Sequence, residues 1–184
     1  IRDRFSNLPA NAVFEDLTIR GTGGVNAKTS GLAFSAFEVN TSGVIVDNAL
    51  IEDNPVVGFK GYLIGSSTII NGLEINNNGK PLTNTPINDR AGLFLRSVNW
   101  APIINDLVVT NSTGPGILLW KGGAMGQDWW TSDNGASGAD FREFHPQVTI
   151  LRSLDNAGHG VSVRDSSNVE LSHVLTSGNG IASS

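Results

Sequence analysis

One short apolar pattern returns along this chain, and it limits the possible fold more than any other feature. It reads apolar, two residues, apolar or Ser, one residue, apolar or Ser, one residue, and then a small polar residue. It occurs at Phe14/Leu17/Ile19, Val46/Ala49/Ile51, Ile70/Leu73/Ile75, Ile104/Leu107/Val109, Val148/Leu151/Ser153 and Val169/Ser172/Val174. The closing polar residues are Gly21, Asp53, Asn77, Asn111, Asp155 and Thr176. Starts at residues 14, 46, 70, 104, 148 and 169 give spacings of 32, 24, 34, 44 and 21. The short spacings set a basic unit in the low twenties, and the longer ones read as that unit with an insertion. A unit of that length, built of short strands, is one coil of a parallel β-solenoid.

Each phrase is followed by a second short strand opened by Gly. These are Gly31-Leu32-Ala33-Phe34, Gly61-Tyr62-Leu63-Ile64, Gly92-Leu93-Phe94-Leu95, Gly116-Ile117-Leu118-Leu119 and Gly160-Val161-Ser162-Val163. Glycine reaches the positive φ of tight corners, and Asn, Asp and Ser bond their own backbone there. Alternation along a strand sends every second side chain inward, so Leu93/Leu95, Ile117/Leu119 and Val161/Val163 are expected to form stacked core columns. The chain from Gly122 to Phe144 lacks a helical period and reads as an ordered loop. The expected fold is all-β, a single-stranded parallel β-helix of about six coils spanning residues 1–184 as one domain. Two insertions, 79–91 and 121–146, are expected to protrude from it.

Composition narrows the function classes. With 39% hydrophobic residues shared among all the phrases, the chain is not of disordered type, although only 16% of it is charged. A net charge of −5 argues against a nucleic-acid surface, which needs a basic footprint. No apolar stretch is long enough for a membrane span. The absence of cysteine removes disulfides and thiol chemistry, and no cofactor or metal is expected. Ile1-Arg2-Asp3-Arg4 has no apolar run behind its charges, unlike a signal peptide. The chain is expected to be a segment of a longer solenoid whose ends are covered by the rest of the β-helix or by partner chains.

Phrases such as Ser166-Ser167-Asn168-Val169-Glu170-Leu171 and Ile70-Asn71-Gly72-Leu73-Glu74-Ile75-Asn76-Asn77-Asn78 resemble those of the right-handed parallel β-helix, or pectate-lyase-like, superfamily. The resemblance covers roughly residues 12 to 184 and implies a right-handed coil, the usual hand of parallel crossovers. That superfamily holds lyases, hydrolases, epimerases, phage tailspikes and adhesins, so the resemblance bears on fold more than on activity. Gly158-His159-Gly160 is similar to a motif of polygalacturonase-type hydrolases. Their Asn-Thr-Asp, Asp-Asp and Arg-Ile-Lys segments are missing, and Gly114-Pro115-Gly116 and Gly178-Asn179-Gly180 read as the same corner.

The two insertions point to a groove, because long loops on a rigid scaffold carry function disproportionately. Outward residues between them include Arg96, Trp120 and Arg164, one per coil and about 4.8 Å apart, with Lys121 and Asp165 following directly. An indole face stacks on the C–H patches of a pyranose, and guanidinium forks bind carboxylates. The second insertion adds Trp129 and Trp130, either as further platforms or as anchors of the loop. Asp128, Asp133, Glu143 and Asp165 are candidate paired carboxylates for hydrolysis. For β-elimination a Lys, Arg or His would take the proton beside a neutralised uronate, and His145 is the best-placed histidine. The expected function is binding, with cleavage or epimerisation, of an extended acidic polysaccharide by a protein that is secreted, extracellular or on a virion surface. The alternative is a non-catalytic solenoid of a tail fibre, adhesin or autotransporter passenger.

Overall fold

The computed structural model describes residues 12–21, 35–39, 43–62, 64–79, 90–98 and 101–180. Among them the strands are β1 (Val13–Arg20), β2 (Ser35–Val39), β3 (Ile45–Glu52), β4 (Val57–Tyr62), β5 (Ile69–Asn76), β6 (Leu93–Val98), β7 (Ile103–Thr110), β8 (Ile117–Ser132), β9 (Ala139–Leu154), β10 (Val161–Arg164) and β11 (Glu170–Ser177). All pairing is parallel: β1–β3–β5–β7 stack in order onto the second half of β8, Met125–Ser132, and β2–β4–β6 stack onto its first half, Ile117–Gly122. Strand β9 pairs with β8, and β10 and β11 both pair with β9. This is a parallel β-helix of about six coils.

The spacing of three inside each phrase has a backbone cause. Asp16, Asn48, Gly72, Asp106, Asp128, Ile150 and His173 all have φ between 51° and 67°. This left-handed residue bends the strand, so the side chain two positions before it and the one directly after it both face inward, as Val46 and Ala49 do around Asn48. Asn and Asp are the side chains that reach this conformation most readily. A second left-handed column closes the phrase at Gly21, Asp53, Asn77, Asn111, Asp133, Asp155 and Gly178.

One residue beyond that corner, an internal amide ladder begins. The Nδ2 of Asn54 donates to Asn78 Oδ1, that of Asn134 to Asn156 Oδ1, and that of Asn156 to Asn179 Oδ1, at 2.8 to 2.9 Å. Of the Asn76-Asn77-Asn78 run, Asn78 alone is fully buried in it. Four residues after Asn54, Ser112, Asn134 and Asn156 comes Gly58, Gly116, Gly138 or Gly160. A methyl group at Gly138 would overlap Ser153 Oγ, Thr131 Oγ1 and Asn156 Nδ2, so this glycine is there to clear space for the ladder.

The expected 121–146 insertion is a whole coil instead. Its phrase is Gly126/Trp129/Thr131, in register with Ile104/Leu107/Val109 below and Val148/Leu151/Ser153 above. The 44-residue spacing is thus two units of 22, from Ile104 to Gly126 and from Gly126 to Val148. The coil escapes an apolar pattern because Gly126 and Thr131 replace aliphatic residues, leaving Trp129, which is fully buried, to fill the volume. The last phrase is shifted by two: Leu171, Val174 and Thr176 pair with Val148, Leu151 and Ser153, and Gly178 closes it in place of Thr176. Gly178-Asn179-Gly180 therefore belongs to that closing corner, and Gly158-His159-Gly160 lies further along the coil. The second strand of the Val46 coil starts earlier than expected, since Gly61 pairs with Leu95 and makes room for that side chain. Gly31-Leu32-Ala33-Phe34 lies outside the described residues.

Most of the 79–91 insertion also lies outside them, but its two ends are described. A Cβ built on Gly79 would overlap the Arg90 carbonyl. Gly79 N donates to Asn54 O, and Gly114 N donates to Arg90 O, at 2.9 and 3.0 Å. The chain leaves and rejoins the stack at one point.

The core runs up the inside of the coils. Leu93, Leu95, Ile117, Leu119 and Phe141 are fully buried, and Phe14, Phe37 and Phe59 stack edge to face. Val161 and Val163 continue these columns at the last described coil, where Val163 is 44% exposed. No helix among the described residues is long and apolar enough to cross a membrane.

Candidate functional site

The outer face of the second-strand sheet carries two columns. Nearer the glycines run Glu38, Lys60, Phe94, Leu118, Asp140 and Ser162. Phe94 and Leu118 are buried with Val57 and Ala91 in a small apolar cluster outside the main core, against which Tyr62 and Trp120 pack. Beside it run Tyr62, Arg96, Trp120, Arg142 and Arg164, each paired with the next. The expected Arg96–Trp120–Arg164 column therefore exists and contains a further cation, Arg142, from the coil that reads as a loop.

These side chains bind one another. The Arg96 guanidinium lies 4.5 Å from the centre of the Trp120 ring, and Lys121 Nζ lies 6.0 Å from it. The Trp120 indole N–H donates to Glu143 Oε1 at 3.2 Å, and Glu143 Oε2 lies 3.6 Å from Lys121 Nζ. Arg142 donates from Nε and Nη2 to Asp140 Oδ2, at 3.0 and 2.7 Å. Arg164 Nη2 donates to the same oxygen at 2.5 Å. The Asp140 carboxylate is 3% exposed, and its Oδ1 is buried without a hydrogen-bond partner. One buried carboxylate thus ties down two guanidiniums, a strong arrangement for charge-assisted bonds.

Lys121, Glu143 and Asp165 directly follow Trp120, Arg142 and Arg164, and all three have φ of 50° to 61°. They form a third left-handed corner. His145, two residues beyond Glu143, is exposed and its Nδ1 contacts the Ser167 carbonyl oxygen. The remaining candidates are elsewhere. Asp133 stands at the closing corner, and Asp128 at the bend of the phrase strand, where it pairs with Arg152. Trp130 is exposed on that second face. Trp129 points inward and donates its indole N–H to Ile104 O at 2.8 Å, so its ring is enclosed in the core and presents no surface to solvent. All four candidate carboxylates, Asp128, Asp133, Glu143 and Asp165, therefore occupy left-handed corners, and the backbone alone accounts for their residue type at three of them.

Tyr62, Asp140 and Arg142 are the residues of the strip that sequence reasoning missed. The signal for the last two was the Asp133-Asn134 pair with Gly138 beyond it, matching Asp53-Asn54/Gly58 and Asp155-Asn156/Gly160. Among the described residues no group of three His, Asp or Glu is placed to hold a metal ion. A scan against protein-family models and searches of curated proteins and of solved structures find no match to this chain.

Proposed function

We propose that this chain is a carbohydrate-active β-helix, akin to the pectate-lyase-like superfamily, secreted or on a virion surface. Its ligand is an extended acidic polysaccharide, which it binds along the second-strand sheet and cleaves or epimerises. The observation that carries this reading is the unbroken column Tyr62–Arg96–Trp120–Arg142–Arg164. Coils repeat at about 4.8 Å, close to the length of one sugar residue in an extended chain. Successive rungs can therefore meet successive residues of a glycan. Trp120 offers the apolar platform, and the guanidiniums offer forks for uronate carboxylates.

In a β-elimination the cations would neutralise the uronate carboxylate while His145 or an arginine takes the adjacent proton. In a hydrolysis Glu143 and Asp165, on successive coils, would act as the carboxylate pair. A second reading, a non-catalytic fibre or adhesin solenoid, draws support from the corner positions of all four candidate carboxylates. An acidic-polysaccharide panel assayed for new reducing ends and for the absorbance of unsaturated uronates separates these readings. Reducing ends alone mean hydrolysis, and both signals together mean elimination. Binding without either, and without a change in uronate configuration, favours the adhesin.

A further inference from the structure

Trp120 and Trp130 lie on the same strand, but the chain bends at Lys121 and again at Asp128 between them. The two indoles therefore face different sides of the coil. Trp130 is 41% exposed and belongs to the outer face of the phrase sheet, between Val108 on one neighbouring coil and Arg152 on the other. Its indole N–H makes no hydrogen bond to the described residues, whereas that of the adjacent Trp129 is satisfied in the core. Strands pair with β8 on both sides at this point, so the backbone carrying Trp130 is held rigidly. Beside it, Arg152 Nη1 donates to Asp128 Oδ1, with both side chains partly open to solvent at 35% and 44%.

We infer that Trp130, with the Arg152–Asp128 pair, is a second carbohydrate site that takes a neutral glycan. The indole presents a fixed apolar plane whose surface water covers poorly, which suits the C–H face of a pyranose. The ion pair beside it adds fork donors and carboxylate acceptors that a sugar's hydroxyls can use, yet its charges cancel. A neutral sugar therefore fits this face, while the strip with Arg96, Arg142 and Arg164 against Asp140 fits an anionic one. Preorganisation on a central strand keeps the entropy cost of binding low.

Titration calorimetry with neutral hexasaccharides of β-1,4-linked glucose, xylose and mannose tests this, using the parent, Trp130→Ala, Trp130→Phe and Trp120→Ala. The expected result is that at least one hexasaccharide binds the parent with little dependence on salt. Trp130→Ala should then bind it about tenfold or more weakly, Trp130→Phe should retain most of the affinity, and Trp120→Ala should be unaffected. Thermal unfolding of Trp130→Ala close to that of the parent shows that the fold is kept. The inference is overturned if none of the three sugars binds the parent, or if Trp130→Ala binds as the parent does. A concentration-dependent dimer in sedimentation velocity that Trp130→Ala abolishes also overturns it, since the face is then a contact between copies. Loss of acidic-glycan binding in Trp120→Ala leaves this site untouched, so the two faces fail or stand separately.

Discussion

Asn134 reaches one coil forward and donates its Nδ2 to Asn156 Oδ1 at 2.8 Å, while its own Oδ1 accepts from the Ser112 backbone N–H at 3.0 Å. Its Nδ2 also donates to Val109 O at 3.2 Å. Asn134→Ala removes all of these bonds from a fully enclosed position. It is expected to cost about 1–3 kcal/mol, seen as a lower unfolding midpoint by circular dichroism.

Among the described residues the ladder has one defective rung. Ser112 stands where Asn54, Asn78, Asn134, Asn156 and Asn179 place an amide, and its Oγ is buried without a partner. Ser112→Asn should supply the missing amide between Asn78 and Asn134 and raise stability by about 1 kcal/mol. A drop in melting temperature would mean that the rung has no room for the longer side chain.

Leu119 is fully enclosed, whereas Arg96, one coil below and one position further along its strand, faces outward. Leu119→Asp should unfold the protein, because an unpaired buried carboxylate costs several kcal/mol against a total of roughly 5–15. Arg96→Ala should stay folded with its melting temperature nearly unchanged.

The adjacent tryptophans should behave oppositely. Trp129→Ala empties the largest side chain of the core and is expected to cost about 3–5 kcal/mol, while Trp130→Ala removes a ring that already faces water. Denaturant titration of both variants checks the contrast, and equal losses would place Trp130 in the core as well.

Trp120→Ala should abolish binding of acidic oligosaccharides to the second-strand face, since loss of an aromatic anchor costs about 2 kcal/mol or more. The ring also packs on Phe94 and Leu118, so a destabilisation of about 1 kcal/mol is expected alongside. Added salt should weaken the parent's binding, because exposed charge pairs are screened. Unchanged affinity in Trp120→Ala would move the ligand elsewhere.

The parallel β-helix was legible because aliphatic residues mark the inward positions of most coils, and their unusual spacing of three reflects a left-handed bend rather than a helix. That legibility failed where packing is shared differently. The Gly126/Trp129/Thr131 coil fills its cross-section with one large ring and two small residues, which no apolar pattern detects. The final phrase slipped because Val169/Ser172/Val174 and Leu171/Val174/Thr176 satisfy the same spacing, and the register with Val148 alone decides between them. At the site, Arg96, Trp120 and Arg164 were legible as a column. Arg142 and Asp140 were hidden with their coil. The candidate carboxylates were chosen as acids, yet they stand where the backbone turns.

The meeting of Gly79 and Arg90 has a practical consequence for engineering. Because the strand before and the strand after the junction are both fixed by the stack, a foreign peptide spliced between them would arrive with its ends already together. Closure entropy grows only slowly with length, by roughly 0.6 kcal/mol per doubling. This corner is therefore a display port, where epitopes or binding loops of varied size can be exchanged while the coils beneath keep their register.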